Sequence, residues 1–313
     1  MTEPAQTEAA PAENFRRVSY EVPGGAMAGI AFGAETPTPD IVFLHATGFN
    51  ARTYRTLLAP LGEKYHVLAL DARGHGRTQL KARIFGYTSW RRHRNDLIAL
   101  LERHFTKPVT LAGHSMGATV SLLTAGRRPD LVSSLALFEP VILPAAAYAF
   151  SELPFAPALN RGFMPLAHGA LHRRRRFPSR AAAVQAFTGR GVFKSFTPDM
   201  IEDYVADGFV DTPSGAVKLA CHPRYEAATF CAQRNHPWSA LEAGSGPLVL
   251  LRAEHHSTLS AAAMQKIAAL RPSARVATVE GSTHMLPMER PDRVRAAIEA
   301  AMLMAGRSFT EVD

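Results

Sequence analysis

Residues 108–125 read PVTLAGHSMGATVSLLTA. A short apolar run at 109–112 passes into an apolar helical segment at 118–125 through Gly113-His-Ser-Met-Gly117, which holds one serine between two glycines. A strand that turns at once into a helix strains the residue at the apex. It also leaves no room for side chains two positions away, which is the mechanical reason for glycine at both. Such a join holds the Ser115 hydroxyl out at the carboxyl end of a strand, beside the unpaired N–H groups of a helix start.

The rest of the chain repeats the strand-then-helix pattern. Apolar runs closed by turn chemistry lie at 16–21 and 27–32, which read as a hairpin around Gly24-Gly25, and at Ile41–Leu44, 66–70, 109–112, 135–138, 248–251 and Arg275–Val279. Longer segments of helical period separate them, the signature of a mostly parallel α/β sheet of about eight strands flanked by helices. One helix is expected to be capped by Thr88-Ser89, with Trp90, Leu97, Ile98, Leu101 and Phe105 on its buried face. The last helix carries the stripe Val294, Ile298 and Met302. From Glu139 to about Ala240 the alternation breaks, with many prolines, arginines and aromatics and no convincing strand. Residues 141–240 read as a helical cap over the sheet's carboxyl edge, where open α/β sheets bind ligands. Residues 15–140 and 241–313 then form the core, and residues 1–14 a disordered tail.

Composition narrows the function classes. The chain has 313 residues and a formal charge of +8, but its arginines are scattered and lack an aromatic-basic module, which argues against nucleic acid as a partner. The run Arg173-Arg-Arg-Arg176 reads as the solvated face of a surface helix; a second possibility is that it steers an anionic substrate. Cys221 and Cys231 make neither a disulfide framework nor a metal site, so free thiols in a reducing compartment are expected. The start MTEPAQTEAAPAENF lacks the basic and apolar regions of a signal peptide, and no apolar run is long enough to span a bilayer. A cytoplasmic protein without membrane insertion is the expectation.

A serine is a weak nucleophile without a base within reach, and histidine is the usual one. Thirteen histidines are present, but His284 is distinguished by position. It follows the last expected strand, in Val279-Glu-Gly-Ser-Thr-His-Met285, at the same sheet edge as Ser115.

With these residues in view, the chain over 16–306 resembles an α/β-hydrolase, a capped serine esterase or lipase-like enzyme. His45-Ala-Thr-Gly-Phe49 is similar to the family's His-Gly oxyanion loop, although two residues separate His45 from Gly48. Asp71-Ala-Arg-Gly-His-Gly76 resembles the loop after the next strand, Gly113-His-Ser-Met-Gly117 the nucleophile elbow, and Gly281-Ser-Thr-His284 the histidine loop. The resemblance implies Ser115 as nucleophile, His284 as base, and backbone N–H groups of Met116 and Phe49 as the oxyanion hole. Gly113, Gly117, His114, Gly48 and His45 are implied as supports, and Asp71 and His75 as ties within their own loop. It implies no cofactor and no metal.

The third triad member departs from the family's usual place. Leu251-Arg-Ala-Glu-His-His-Ser-Thr-Leu259 puts Ser257 or Thr258 in the acid's slot, and neither can steady an imidazolium. Glu139, at the end of the strand after the nucleophile's helix, is the first choice, since a branch of the family places its acid there. Glu254 is the alternative, and an acid-less dyad the remaining option. The expected function is hydrolysis of a small to medium, apolar carboxylic ester, thioester or lactone through an acyl-enzyme, with Phe150, Phe155, Phe163, Phe187, Phe193 and Phe196 of the cap as apolar wall. C–C hydrolysis or cofactor-free perhydrolase chemistry would use the same triad. A binding protein on a hydrolase scaffold is the alternative of another class, though such scaffolds tend to lose the serine or histidine.

Overall fold

The computed structural model describes residues 14–153 and 164–306, so most of the expected tail, Phe155 and Phe163 lie outside the described residues. The strands, in chain order, are β1 (Arg16–Val22), β2 (Gly25–Phe32), β3 (Ile41–Leu44), β4 (Val67–Leu70), β5 (Val109–His114), β6 (Val132–Phe138), β7 (Arg176–Phe177), β8 (Phe209–Asp211), β9 (Val217–Leu219), β10 (Leu248–Ala253) and β11 (Arg275–Val279). Eight of them form one sheet in the order β1-β2-β4-β3-β5-β6-β10-β11. β1 pairs antiparallel with β2, and β2 with β4; the remaining pairs are parallel.

Every residue of β3, β4 and β5 is buried, as continuous apolar runs in a doubly covered sheet require. The two-residue alternation of a strand divides these side chains between two cores. Ile41, Phe43, Val67, Ala69, Val249 and Leu251 join one cluster. Val42, Leu44, Leu68, Leu70, Leu248 and Leu250 join the other. β11, at the edge, carries mostly exposed and half-buried side chains. The stripe Val294, Ile298 and Met302 is buried in the first cluster, within the helix Pro291–Met304.

Three expectations are corrected. The helix expected to be capped by Thr88-Ser89 spans Arg91–His104, with Trp90 at the N-cap and no side-chain cap bond. Its start is set by tertiary contacts instead, as Trp90 donates from its backbone N–H to Asn235 Oδ1 at 2.7 Å and from its indole to the Thr229 carbonyl at 3.0 Å. Between β6 and β10 the helices Ala145–Ser151, Pro165–His172, Arg180–Phe187, Pro198–Gly208 and Pro223–Cys231 are joined by a small antiparallel sheet, β7-β9-β8, where no strand was expected. Its strands have two or three residues each, too short to leave an alternating pattern. The four-arginine run follows the helix Pro165–His172 and leads into β7, so it is not a helix face. Arg173 is turned inward, bonded to both oxygens of the buried Glu226 at 2.8 and 2.9 Å and to Tyr204 Oη at 2.7 Å.

The helix Pro198–Gly208 is the clamp between this inserted region and the core. Asp203, with its side chain 3% exposed, takes Arg52 Nε at 2.9 Å and Arg55 Nε at 2.7 Å, and Asp207 takes Arg17 at 2.9 Å. Removing a buried carboxylate strands its cations, which costs more than the pair was worth. Asp203→Ala should therefore lower stability by about 2–4 kcal/mol, read as a shift in the urea midpoint, whereas an unchanged midpoint would show that the clamp is energetically idle.

Candidate active site

Ser115 stands between the end of β5 and the helix Met116–Arg127, at φ 54° and ψ −114°. A positive φ is costly for a residue with a side chain and persists only when the surroundings enforce it. They do so by contact. A Cβ built on Gly117 would lie 2.1 Å from the Leu44 carbonyl oxygen and 2.8 Å from that of His45. One built on Gly113 would lie 2.6 Å from the Gly117 carbonyl carbon. The Ser115 N–H donates to the Phe138 carbonyl at 3.0 Å, tying the apex to the end of β6.

The structure brings Ser115, His284 and Glu139 into one line. Ser115 Oγ is 3.0 Å from His284 Nε2, and His284 Nδ1 is 2.9 Å from Glu139 Oε2. The carboxylate accepts only, so Nδ1 carries the hydrogen and Nε2 is left to accept from the serine hydroxyl. Glu139, fully buried and at φ 51°, has its carboxylate saturated by further donors. Ala253 N–H donates to Oε1 at 2.6 Å, Ser257 Oγ to Oε1 at 2.7 Å, and Thr258 N–H to Oε2 at 3.1 Å. The slot expected to lack an acid thus serves the acid that stands opposite it. The Thr258 hydroxyl also donates to the carbonyls of Glu139 and Pro140.

Glu254, the alternative acid, is 44% exposed and accepts the Gly281 N–H at 2.8 Å, bracing the histidine loop from outside without reaching His284. A second brace, Glu289, was not singled out in the sequence: its carboxylate takes the Thr283 N–H at 2.6 Å and the Thr283 hydroxyl at 2.7 Å. Its only sequence signal is its place in the turn after His284.

The loop from His45 to Asn50 departs from expectation at Phe49. The two residues between His45 and Gly48 make a turn, in which the Phe49 N–H donates to the Ala46 carbonyl at 3.1 Å. Ala46 N–H goes to Tyr54 Oη, Gly48 N–H to His75 Nε2 and Ala51 N–H to Asp71 Oδ1. Among the described residues, the N–H groups of Thr47 and Asn50 have no acceptor. Asn50 lies farther along the loop, its side-chain amide donating to the Tyr204 carbonyl at 3.0 Å. Thr47 is two residues from His45, whose carbonyl abuts Gly117 in the first turn of the Ser115 helix.

Three buried histidines support this arrangement, each with its tautomer dictated by its partners. His45 donates from Nδ1 to the Ala46 carbonyl and accepts the Ala72 N–H at Nε2. His75 donates from Nδ1 to the Arg73 carbonyl and accepts the Gly48 N–H. Burial pushes the pKa of His45 down to about 3 and that of His75 down to about 4. His114 is likewise held well below the usual histidine range by burial. Asp71 ties its loop together, accepting the Ala51 and Arg77 N–H groups at 2.8 Å each.

Of the expected aromatic wall, Phe193 and Phe196 are buried against the ring of Phe49, with Phe196 stacked on it at 5.8 Å between centroids. Phe187 packs on Phe193 and Tyr204 behind them, while Phe150 is 42% exposed. Among the described residues no cluster of three or more His, Cys, Asp or Glu side chains could hold a metal ion, and no helix is long and apolar enough to cross a membrane.

Comparison with known proteins agrees with this architecture. A 2-(acetamidomethylene)succinate hydrolase of Mesorhizobium japonicum is 24% identical over 260 residues, which cover 83% of this chain and 86% of that protein. An esterase of Mycobacterium tuberculosis is 32% identical over 166 residues, about half of each chain. The crystal structure of an E-2-(acetamidomethylene)succinate hydrolase superposes with a TM-score of 0.71 at 22% identity, over 94% of this chain and 100% of the other, a likeness of fold. Residues 41–297 match the model of the alpha/beta hydrolase family, from the strand that precedes the His45 loop to the helix that follows His284, and the chain is a hydrolase belonging to that family.

Proposed function

We propose that this hydrolase is a serine enzyme that cleaves a small to medium carboxylic ester, thioester or lactone through an acyl-enzyme. The observation that carries the reading is the pair of distances, 3.0 Å from Ser115 Oγ to His284 Nε2 and 2.9 Å from His284 Nδ1 to Glu139 Oε2. Ser115 Oγ attacks the carbonyl carbon as His284 Nε2 takes its proton. The carbonyl electrons move onto oxygen and return as the leaving alkoxide or thiolate departs with the proton from His284. Water, deprotonated in turn by His284, then releases the acid and restores Ser115. Glu139 keeps the imidazole in the required tautomer and offsets its charge when protonated.

The developing oxyanion needs donors that are already in place and unspent. Met116, first in its helix, has no partner for its N–H within the helix. The second donor we assign to Thr47, since the Phe49 N–H is spent on Ala46 and the Thr47 N–H is not. An apolar substrate is supported by the Phe49, Phe193 and Phe196 rings packed onto the oxyanion loop, and an ester by the mycobacterial relative. A second reading, favoured by the relative named for 2-(acetamidomethylene)succinate, applies the same three residues to a bond other than an ester. A panel of p-nitrophenyl esters of rising chain length, a lactone and a vinylogous diketone separates the two.

A fluorophosphonate probe should label the protein and lose its target in Ser115→Ala; a folded wild type that stays unlabelled would favour a binding protein on this scaffold. Glu139→Gln should keep the fold and lower kcat by about 10³–10⁴, because its amide would face the His284 N–H with another donor. Glu254→Gln should stay within a few-fold of wild type, and the reverse ranking would move the acid to the later loop.

Stability should also depend on pH through the loop's supports. His45 and His75 must be neutral to accept the Ala72 and Gly48 N–H groups, and their folded pKa values lie below the unfolded value near 6.5. The unfolded chain then binds more protons as pH falls from 6.5 toward 4, so the stability is present above that window and lost within it, at up to about 1.4 kcal/mol per pH unit per histidine. Chemical denaturation at pH 7.5 and 5 should show this slope, and His75→Gln, which keeps an acceptor for Gly48, should reduce it.

A further inference from the structure

Two fully buried side chains, Tyr54 and His114, take no part in the chemistry above, yet they join its parts. The Ala46 N–H donates to Tyr54 Oη at 3.1 Å, Tyr54 Oη lies 2.8 Å from His114 Nδ1, and His114 Nε2 lies 2.7 Å from the His284 carbonyl oxygen. The direction of each bond follows from what each group can do. The His284 carbonyl only accepts, so His114 Nε2 carries a hydrogen. Burial keeps the ring neutral, which leaves Nδ1 as an acceptor. Burial also holds the Tyr54 hydroxyl in its protonated form, so it donates to Nδ1 while its oxygen accepts the Ala46 N–H.

The result is one directed chain from the oxyanion loop to the backbone of the base, passing through the residue that precedes the nucleophile. We infer that Tyr54 and His114 form a positioning relay that fixes the oxyanion loop and His284 relative to each other across Ser115, an inference that rests on the hydrolase reading above. Two further observations support it. The His114 ring lies 5.1 Å from the His284 ring, where a second positive charge would oppose protonation of the base, and the Tyr54 hydroxyl holds His114 in the neutral tautomer that avoids this. The Tyr54 ring is itself wedged between Phe43 of β3 and Phe49 of the loop, at 4.8 and 6.5 Å between centroids, so its hydroxyl has little freedom to serve another partner.

The test uses the full chain and the fluorophosphonate labelling rate, which needs no knowledge of the substrate, with p-nitrophenyl ester kinetics beside it. Tyr54→Phe should slow labelling by about 10- to 100-fold and lower kcat to match while KM changes little, as a displacement of reacting groups by a fraction of an ångström does. His114→Gln keeps a donor near the position of Nε2 but offers Tyr54 no acceptor at the position of Nδ1, so it breaks the same chain, and the double variant with Tyr54→Phe should label no more slowly than the slower single variant. A purely structural role would lower Tm and let the two losses in rate multiply. Wild-type labelling in Tyr54→Phe, or multiplied losses in the double variant, would overturn the relay. An unlabelled wild type would instead overturn the hydrolase reading, and nitrogen-15 spectra of the histidines would then decide the relay. His114 should remain a neutral Nε2–H tautomer from pH 5 to 9, and Tyr54→Phe should displace the His284 signals. A His114 that titrates in that range, or an unmoved His284, would count against it.

Discussion

The close approach of the Ser115 helix to the end of β3 is the contact on which the site depends. With the Leu44 carbonyl oxygen 2.1 Å from where a Gly117 side chain would begin, the helix can start only with glycine there. That approach forces Ser115 through φ 54° and sets the helix start beside the His45 loop. The strain at Ser115 is held by interactions that the fold makes anyway: the β3–β5 pairing, with Leu44 opposite Gly113, and the bond from the Ser115 N–H to the end of β6. Sheet register and the geometry at Ser115 are thus one constraint, because β3, β5 and β6 are adjacent and deliver the His45 loop, Ser115 and Glu139 to the same edge.

A buried carboxylate is costly unless its lone pairs are matched by donors. Glu139 meets that condition by drawing on the next strand of the sheet, β10, and the loop after it, through Ala253, Ser257 and Thr258, with His284 taking the remaining direction. The two loops that could each have carried an acid therefore share the work. The end of β6 supplies the charge, and the loop after β10 supplies the donors that make the charge tolerable. Glu254 and Glu289 lie outside this pair and act on the histidine loop's backbone at Gly281 and Thr283, setting where His284 begins rather than how its ring is charged.

Much of this was legible in the sequence where it depends on local pattern. The apolar runs located all eight strands of the main sheet within a few residues: the central strands, buried on both faces, must be apolar throughout, and the edge strand β1 alternates Val18, Tyr20 and Val22 with polar residues. That Ser115 and His284 meet at one sheet edge was legible because a glycine-flanked turn and a loop after the last strand are local features. Features set by distant partners were not. Trp90 begins its helix by bonding to Asn235 and Thr229, far along the chain, and not through the Thr88-Ser89 cap that local chemistry favours. The strands β7 to β9 are too short to carry a period, and the inward turn of Arg173 depends on Glu226, fifty-three residues later. That the Phe49 N–H is spent was not legible either, since it depends on whether a turn closes on Ala46, and that rests on the two extra residues in the loop.

The inserted region is more than a cover. The Pro198–Gly208 helix bonds the loop after His45 through Asn50 and the Tyr204 carbonyl, and packs the Tyr204 ring 5.6 Å from that of Phe49. Glu226, neutralised by Arg173, lies against Gly48 so closely that a Cβ there would meet its Oε1 at 2.4 Å. The loop is therefore held from beneath by Tyr54 and His75, both on the core, and from above by Tyr204 and Glu226. A region that is clamped to Arg52 and Arg55 and also covers the loop after His45 cannot lift as a rigid unit without loosening that loop.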